Sequence, residues 1–448
     1  MSRTESPARV RTRRRGPWIA GGIAGALLLG AGGYTVAVAV TPLPEPQVSA
    51  ADPAEWDTAA AAATDLAATR AQEAVAAQGG PAAAGWLDTA EASVADRSPF
   101  AEGDALTVWA NDDTPRPIAS ITKLVTALVG LQHAPLLEGH EGPVYTWTAA
   151  DVARQSEYLA QDGVAFPIPI GTEVTMRQML TLMLLPSAND FAAAYAGFAI
   201  GDEADFTASV ASWAESNGLE SLTLVEPTGM DEANVASAAD VVRIGRLALG
   251  NPIIAELTRT PSAELPWGIG EVENTNPLLT QLPGVVGLKT GRSSVAGFNL
   301  VTAQETTASG RPVVKFTAVL GRDSAAERAR QSSALLTAMD GAPQPLQLVH
   351  PQELVGTATT VDGQTVELVA DGSADTVLLP GEAAEREIEF GDVTFGPAGQ
   401  AAGTIRATAP TGEAEVAVVT ATAVVEPDLW WRWTHPALVF GWADPPAA

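Results

Sequence analysis

The chain has 448 residues, 25 of them basic and 53 acidic, for a formal charge of −28. That balance repels phosphate backbones and excludes DNA or RNA as a partner, while the length admits two or three domains with buried cores. The lack of cysteine excludes disulfides, thiolate metal sites and cysteine catalysis, and four scattered histidines (His133, His140, His350, His435) supply neither metal-ligand spacing nor a Ser–His pair.

In chain order, residues 1–17 form a basic tail carrying Arg3, Arg9, Arg11, Arg13, Arg14 and Arg15. Residues 18–40 are an uncharged run of 23. As a helix such a run extends about 35 Å, enough to cross a bilayer's hydrocarbon core. Its arginine-rich flank stays in the cytoplasm, which places the rest of the chain outside. A retained transmembrane anchor is the favoured reading. A signal peptide cleaved at the small residues Ala37-Val38-Ala39 is the alternative, and either one exports the remainder.

Pro42, Pro44 and Pro46 give an extended spacer, and the alanine-rich stretch 52–78 reads as a helical stalk ending at Gly79-Gly80-Pro81, so 41–85 is a linker. The globular pattern starts near Trp86. Apolar segments at 92–95 and 105–110 read as strands, and helices are expected from Ser120, over 176–185 and over 189–198. Residues 297–304 and 312–320 read as strands joined by a Ser309-Gly310 turn, with a helix over 324–338 behind them. Strands, helices and strands again predict an α+β domain over 86–342, a helical cluster against a mostly antiparallel sheet. Segments at 355–361, 364–370, 386–394, 403–408 and 414–425 predict a small all-β domain over 343–426. The tail 427–448 holds four of the eleven tryptophans. It reads equally as a bilayer-interface belt or as a lid on the β domain.

Of the 25 basic residues, 22 are arginine and three are lysine: Lys123, Lys289 and Lys315. Lysine can lose its proton when desolvated and arginine cannot, so a chain this sparing of lysine keeps it where that difference matters. The bland alternative is codon bias with three leftover surface lysines.

Three motifs carry the chemistry. In Ser120-Ile121-Thr122-Lys123 the hydroxyl and the amine share one helix face, so a lysine made less basic by burial and by the charge of Lys289 can activate the serine. In Pro186-Ser187-Ala188-Asn189, Ser187 can relay a proton to a leaving amine and Asn189 can offer its amide to a peptide; helix capping is the competing reading. Lys289-Thr290-Gly291 reads as an edge strand whose glycine admits a substrate backbone, with Lys289 and Thr290 facing an anionic group. Two of three lysines fall inside these motifs, and their combination is a recognised signature.

Together with Arg116-Pro-Ile-Ala-Ser-Ile-Thr-Lys, Leu184-Leu-Pro-Ser-Ala-Asn-Asp-Phe-Ala, Glu226-Pro-Thr-Gly-Met-Asp and Asn276-Pro-Leu-Leu, the motifs make residues 86–342 resemble the low-molecular-mass penicillin-binding proteins. The resemblance is specifically to the serine-type D-alanyl-D-alanine carboxypeptidases of the S11-like peptidase family. It implies a β-lactamase/transpeptidase-like fold and peptidoglycan stem peptides as substrate. It also implies Ser120 as the acylated nucleophile and β-lactams as covalent inhibitors. By the same resemblance, Lys123 is the general base and Ser187 the proton relay. Asn189, Lys289, Thr290, Gly291, Arg292 and Arg328 are substrate-binding residues, and the backbone N–H groups of Ser120 and Arg292 form the oxyanion hole. Arg292 is a departure, since many relatives carry histidine there. No metal or organic cofactor is implied. A class A β-lactamase is disfavoured because no E-x-x-L-N segment lies between Asn189 and Lys289 and the second motif reads Ser-Ala-Asn. A non-catalytic sensor is disfavoured because every motif residue is intact.

Overall fold

A computed structural model describes residues 30–88 and 106–444. The basic tail, residues 18–29 of the apolar run and the strand expected at 92–95 lie outside the described residues. The described residues divide into two compact units, one of 57–88, 106–346 and 376–384, the other of 30–56, 347–375 and 385–444.

The first unit is built on a five-stranded antiparallel sheet. The elements that carry the sheet and the motifs, in chain order, are helix α1 (Ala54–Ala76), strands β1 (Ala82–Asp88) and β2 (Val108–Ala110), and helices α2 (Thr122–His133), α3 (Met176–Leu184), α4 (Asn189–Ala199) and α5 (Ala238–Gly250). Strands β3 (Val285–Ser293), β4 (Gly297–Ala308) and β5 (Arg311–Arg322) and helix α6 (Ala325–Ala338) follow. The strand order is β3-β4-β5-β1-β2, so β3 with the Lys-Thr-Gly motif is an edge strand. The β4–β5 hairpin turns at Ser309-Gly310 with φ of 50° and 90°. Two positive φ values match the twist of the strands and fix the register Ala308↔Arg311.

Alternation along the central strands sorts side chains to two faces. Leu288, Val301, Ala303, Val314, Phe316, Ala318 and Leu320 join the cores of α2, α3, α4 and α5 on one face. Leu300, Val313, Val319, Ala82, Ala84 and Trp86 meet α1 and α6 on the other. Each fully buried Val, Leu or Phe contributes about 1.5–3 kcal/mol, so this two-sided burial makes the sheet a rigid base for its edge.

This arrangement corrects two expectations. The alanine-rich helix is not a stalk: Ala67, Ala71, Ala74 and Val75 are buried, the last three packed under the sheet. Small alanines let the helix approach a sheet closely, and composition alone does not separate that from a solvated helix. The strand expected over 105–110 shortens to β2, and the sheet starts earlier than Trp86, at Ala82.

The second unit is a six-stranded antiparallel sheet in the order Gln47–Ala50, Leu354–Thr359, Thr365–Ala370, Gly412–Thr420, Ala401–Ala409, Glu385–Phe390. Strands occupy most of the region expected to be all-β, but residues 376–384 belong to the first unit, and one strand is added from upstream. Gln47–Ala50, read as part of a linker, is an edge strand paired with Leu354–Thr359. Residues 30–40 are helical. Among the described residues no helix is long and apolar enough to cross a membrane.

Candidate active site

Ser120 sits in a single 3₁₀ turn, Ala119–Ile121, that leads into α2. Ala119 has φ of 49°, an uncommon conformation for a residue with a side chain. Two glycines make room for that turn. A Cβ on Gly291 would lie 2.5 Å from the Ile118 carbonyl oxygen and 3.3 Å from the Ser120 nitrogen. A Cβ on Gly229 would lie 2.1 Å from the Ala119 oxygen. The motif glycine of β3 therefore lets the edge strand press against the backbone of Ser120, and any side chain there would force the two apart.

All three lysines are buried, with exposures of 0% for Lys123, 1% for Lys289 and 3% for Lys315, so none is a leftover surface residue. Lys315 donates to Asp340 Oδ1 at 2.6 Å and to the Leu336 carbonyl at 2.7 Å, a structural ion pair outside the motifs. Lys123 is different: its Nζ lies 2.9 Å from Ser120 Oγ, 2.9 Å from Asn189 Oδ1 and 2.6 Å from the Thr228 carbonyl oxygen, all neutral groups.

Burial lowers the Lys123 amine to about 7, opposed by the carboxylates of Glu226 and Asp190. The motif spacing predicts a lowering by burial together with the charge of Lys289. In the structure burial leads, and the repulsion between the two amines shows on Lys289. Burial, then Lys123, then Arg328 hold Lys289 well below its ordinary value. The hydrogen-bond geometry adds what the spacing could not show. Asn189 Oδ1 and the Thr228 carbonyl can only accept, so they hold two N–H bonds of a neutral amine. Its lone pair is then left facing the Ser120 hydroxyl.

The acceptor at Thr228 is held by Glu226, a residue that the motif reading quoted without a role. Its Oε2 accepts from the Thr228 N–H at 2.7 Å and hydroxyl at 2.6 Å, and its Oε1 from the Gly229 N–H at 2.6 Å and Asn234 Nδ2 at 2.9 Å. Asp190, beside Asn189, accepts from Gln155 Nε2 at 2.8 Å and the Phe166 N–H at 2.9 Å. Burial raises its carboxyl to about 6. The signal for both residues was adjacency to a motif; Glu226 holds near neighbours in the chain, whereas the partners of Asp190 lie 35 and 24 residues away.

Neither Ser187 nor Asn189 caps a helix. The residue preceding α4 is Ala188, with no side-chain cap bond, and Asn189 spends its oxygen on Lys123. Ser187 is buried with φ of 73°, and its Oγ has no hydrogen-bond partner among the described residues. A buried, unbonded hydroxyl in a strained backbone is costly unless a ligand completes it. Thr290 Oγ1 bonds Thr275 Oγ1 at 2.7 Å, and Lys289 Nζ lies 3.2 Å from the Thr290 carbonyl oxygen.

Arg328 is not a solvated helix residue. It is buried on α6, donates to the Asn299 carbonyl at 3.4 Å and stands 5.9 Å from the Phe298 ring centroid. Burial lowers it to about 10. Arg292 points outward, its side chain 64% exposed, and pairs with Asp162 at 3.3 Å. Lys123 thus touches both Ser120 and Asn189, Gly291 abuts the Ser120 turn, and the charge of Arg328 reaches Lys289. Among the described residues no group of acidic or histidine side chains could hold a metal ion.

The D-alanyl-D-alanine carboxypeptidase family model matches residues 102–323. A D-alanyl-D-alanine endopeptidase of Escherichia coli is 31% identical over 245 residues, 50% of this chain and 73% of that protein. A D-alanyl-D-alanine carboxypeptidase of Mycobacterium tuberculosis is 33% identical over 192 residues, 42% of this chain and 62% of that one. The crystal structure of the Streptomyces K15 DD-transpeptidase superposes with a TM-score of 0.47 at 22% identity, covering 57% of this chain and 95% of that chain.

Proposed function

The chain belongs to the D-alanyl-D-alanine carboxypeptidase family, and we propose that it removes the terminal D-alanine from peptidoglycan stem pentapeptides through an acyl-enzyme on Ser120. The observation that carries the proposal is the Lys123 amine, buried, bonded to two obligate acceptors and 2.9 Å from Ser120 Oγ. Neutral Lys123 takes the hydroxyl proton as Ser120 attacks the carbonyl between the last two D-alanines. The proton then passes by way of Ser187 to the departing D-alanine amine. The backbone N–H groups of Ser120 and Arg292 face the developing oxyanion. Lys289, Thr290 and Arg328 meet the terminal carboxylate, and Asn189 meets the acyl-side amide. Water attacking the ester from the same side regenerates Ser120.

A β-lactam presents a strained amide and a carboxylate to the same groups and acylates Ser120. The apolar run 18–40 tethers the enzyme to the membrane with its catalytic unit outside the cytoplasm. Mass spectrometry of a synthetic pentapeptide ending in D-Ala-D-Ala, incubated with the protein, tests the reading. A tetrapeptide plus free D-alanine is expected. A dimer would indicate transfer to an amine instead, and an unchanged peptide would overturn the proposal. A cross-linked dimer offered as second substrate distinguishes the endopeptidase activity for which the Escherichia coli relative is named.

A further inference from the structure

The segment between the apolar run and the spacer is not loose. Arg432, 6% exposed, reaches from the short helix Leu429–Thr434 to the end of the helix over 30–40. Its Nη1 donates to the carbonyls of Val38 at 3.2 Å and Thr41 at 2.9 Å, and its Nη2 pairs with Glu426. The Tyr34 hydroxyl donates to the Trp433 carbonyl at 2.8 Å, and Trp433 Nε1 donates to Thr35 Oγ1 at 3.2 Å. The Tyr34 and Trp433 rings meet edge to face at 5.4 Å. A guanidinium at a helix C-terminus satisfies carbonyls that have no partner within the helix and complements the helix dipole.

Cleavage at Ala37-Val38-Ala39 would remove most of these partners and leave Arg432 buried beside a new chain terminus. The same junction exposes several large apolar side chains: Trp430 is 71% exposed, Trp442 74%, Val40 71%, Val36 61% and Val425 59%. Trp430 stacks on Trp433 at 6.1 Å, and Phe440 packs on Trp442 at 5.0 Å. Tryptophans of this kind collect at the headgroup level of a bilayer. The sequence gives the level: the uncharged run 18–40 ends at this clasp, and the arginine-rich tail marks its other end.

We propose that the N-terminal apolar segment is retained in the mature protein. Its outer end is clasped by the C-terminal aromatic hairpin, and the two chain ends form one lipid-facing collar at the outer membrane–water interface. The proposal rests on the membrane tether in the proposed function and not on its chemistry. The clasp supports the anchor over the cleaved signal, and the proposal assigns the aromatic tail to lipid.

The test uses the full chain produced in bacterial cells and extracted from the membrane fraction. Intact-mass measurement is expected to show residues 18–40 still attached; a mature terminus at or beyond Val38 would overturn the clasp. The protein is then placed in vesicles of phosphatidylethanolamine and phosphatidylglycerol brominated near the headgroup. Tryptophan emission is expected to be quenched, and the quenching to fall about two-fold or more in Trp430→Phe/Trp442→Phe, as interfacial tryptophans require. Quenching that is the same in that variant would overturn the collar while leaving the tether, and failure of the retained chain to float with vesicles would overturn the tether. Arg432→Gln is expected to weaken quenching without changing the rate of penicillin acylation, a readout that separates the collar from the catalytic reading.

Discussion

Positive charge is buried in two ways that separate the Arg386 site of one unit from the Lys123 site of the other, the latter unit also holding structural pairs of the first kind at Lys315 and Arg311. In the six-stranded unit Arg386, 5% exposed at its side chain, pairs with Glu353 at 2.7 Å and lies over the Trp56 ring at 4.8 Å. In the five-stranded unit Lys123 and Lys289 are equally buried, yet their amines bond neutral oxygens. A buried ion pair is stable as it stands, whereas a buried cation facing only neutral groups sheds its proton or awaits an anion. The first arrangement holds a fold together. The second stores reactivity, and it is confined to the edge of the sheet where β3 presses on the Ser120 turn.

The contrast breaks most severely at the nucleophile. Ser120→Ala is expected to abolish the covalent penicillin adduct seen by intact mass and to cut D-alanine release by about 10⁴-fold or more, because the acyl-enzyme route is gone. Lys123→Arg keeps charge and bulk but cannot deprotonate, so single-turnover acylation should fall by roughly 10³-fold. Near-normal acylation in that variant would make Lys123 an ordinary structural cation.

Glu226→Gln sharpens the comparison one step out. It replaces a carboxylate holding the Thr228 and Gly229 N–H groups with an amide that cannot accept on both sides, so the Thr228 carbonyl should drift from Lys123. A loss of about 10–100-fold in acylation is expected, mainly in kcat, in keeping with small misplacements in other sites. On the other side, Arg386→Ala leaves Glu353 unpaired in a half-buried setting. It should lower stability in urea titration by about 3 kcal/mol, the usual size for breaking such a pair. The folded protein should acylate at the original rate, and a change in that rate would show that the two units do not divide labour as described. The smallest effect is expected for Asp162→Ala. Its pair with Arg292 is open to water, with side-chain exposures of 88% and 64%, so turnover of the pentapeptide should shift by less than about three-fold.

The legible part of the site was the part made of local spacing. Ser120 and Lys123 lie one turn apart on one chain segment, and a helix face requires their contact. Lys289-Thr290-Gly291 was legible as an edge strand with a close approach at its glycine, but the backbone that approaches is that of Ile118–Ser120 and not the substrate's, which the motif alone did not show. The Thr228 carbonyl was not legible, since a backbone acceptor 105 residues from its donor leaves no side-chain signal. Ser187 was singled out by motif, but its φ of 73° and unbonded hydroxyl belong to tertiary packing. The same boundary runs through the fold. The long hairpin strands and the β-rich second unit follow from alternation and turn chemistry. The burial of α1 and the docking of Gln47–Ala50 depend on which distant surfaces await them.

The most direct test of the central claim is the pH dependence of acylation of Ser120 by a penicillin, followed in a single turnover. Lys123 acts as base only when neutral, and burial lowers it to about 7. The rate should therefore be low in acid, rise with pH through about 7 and level off above it, and the rising limb should be absent from the residual rate of Lys123→Arg. A limb near the ordinary lysine value, above about 10, or a profile identical in the two proteins, would contradict the account.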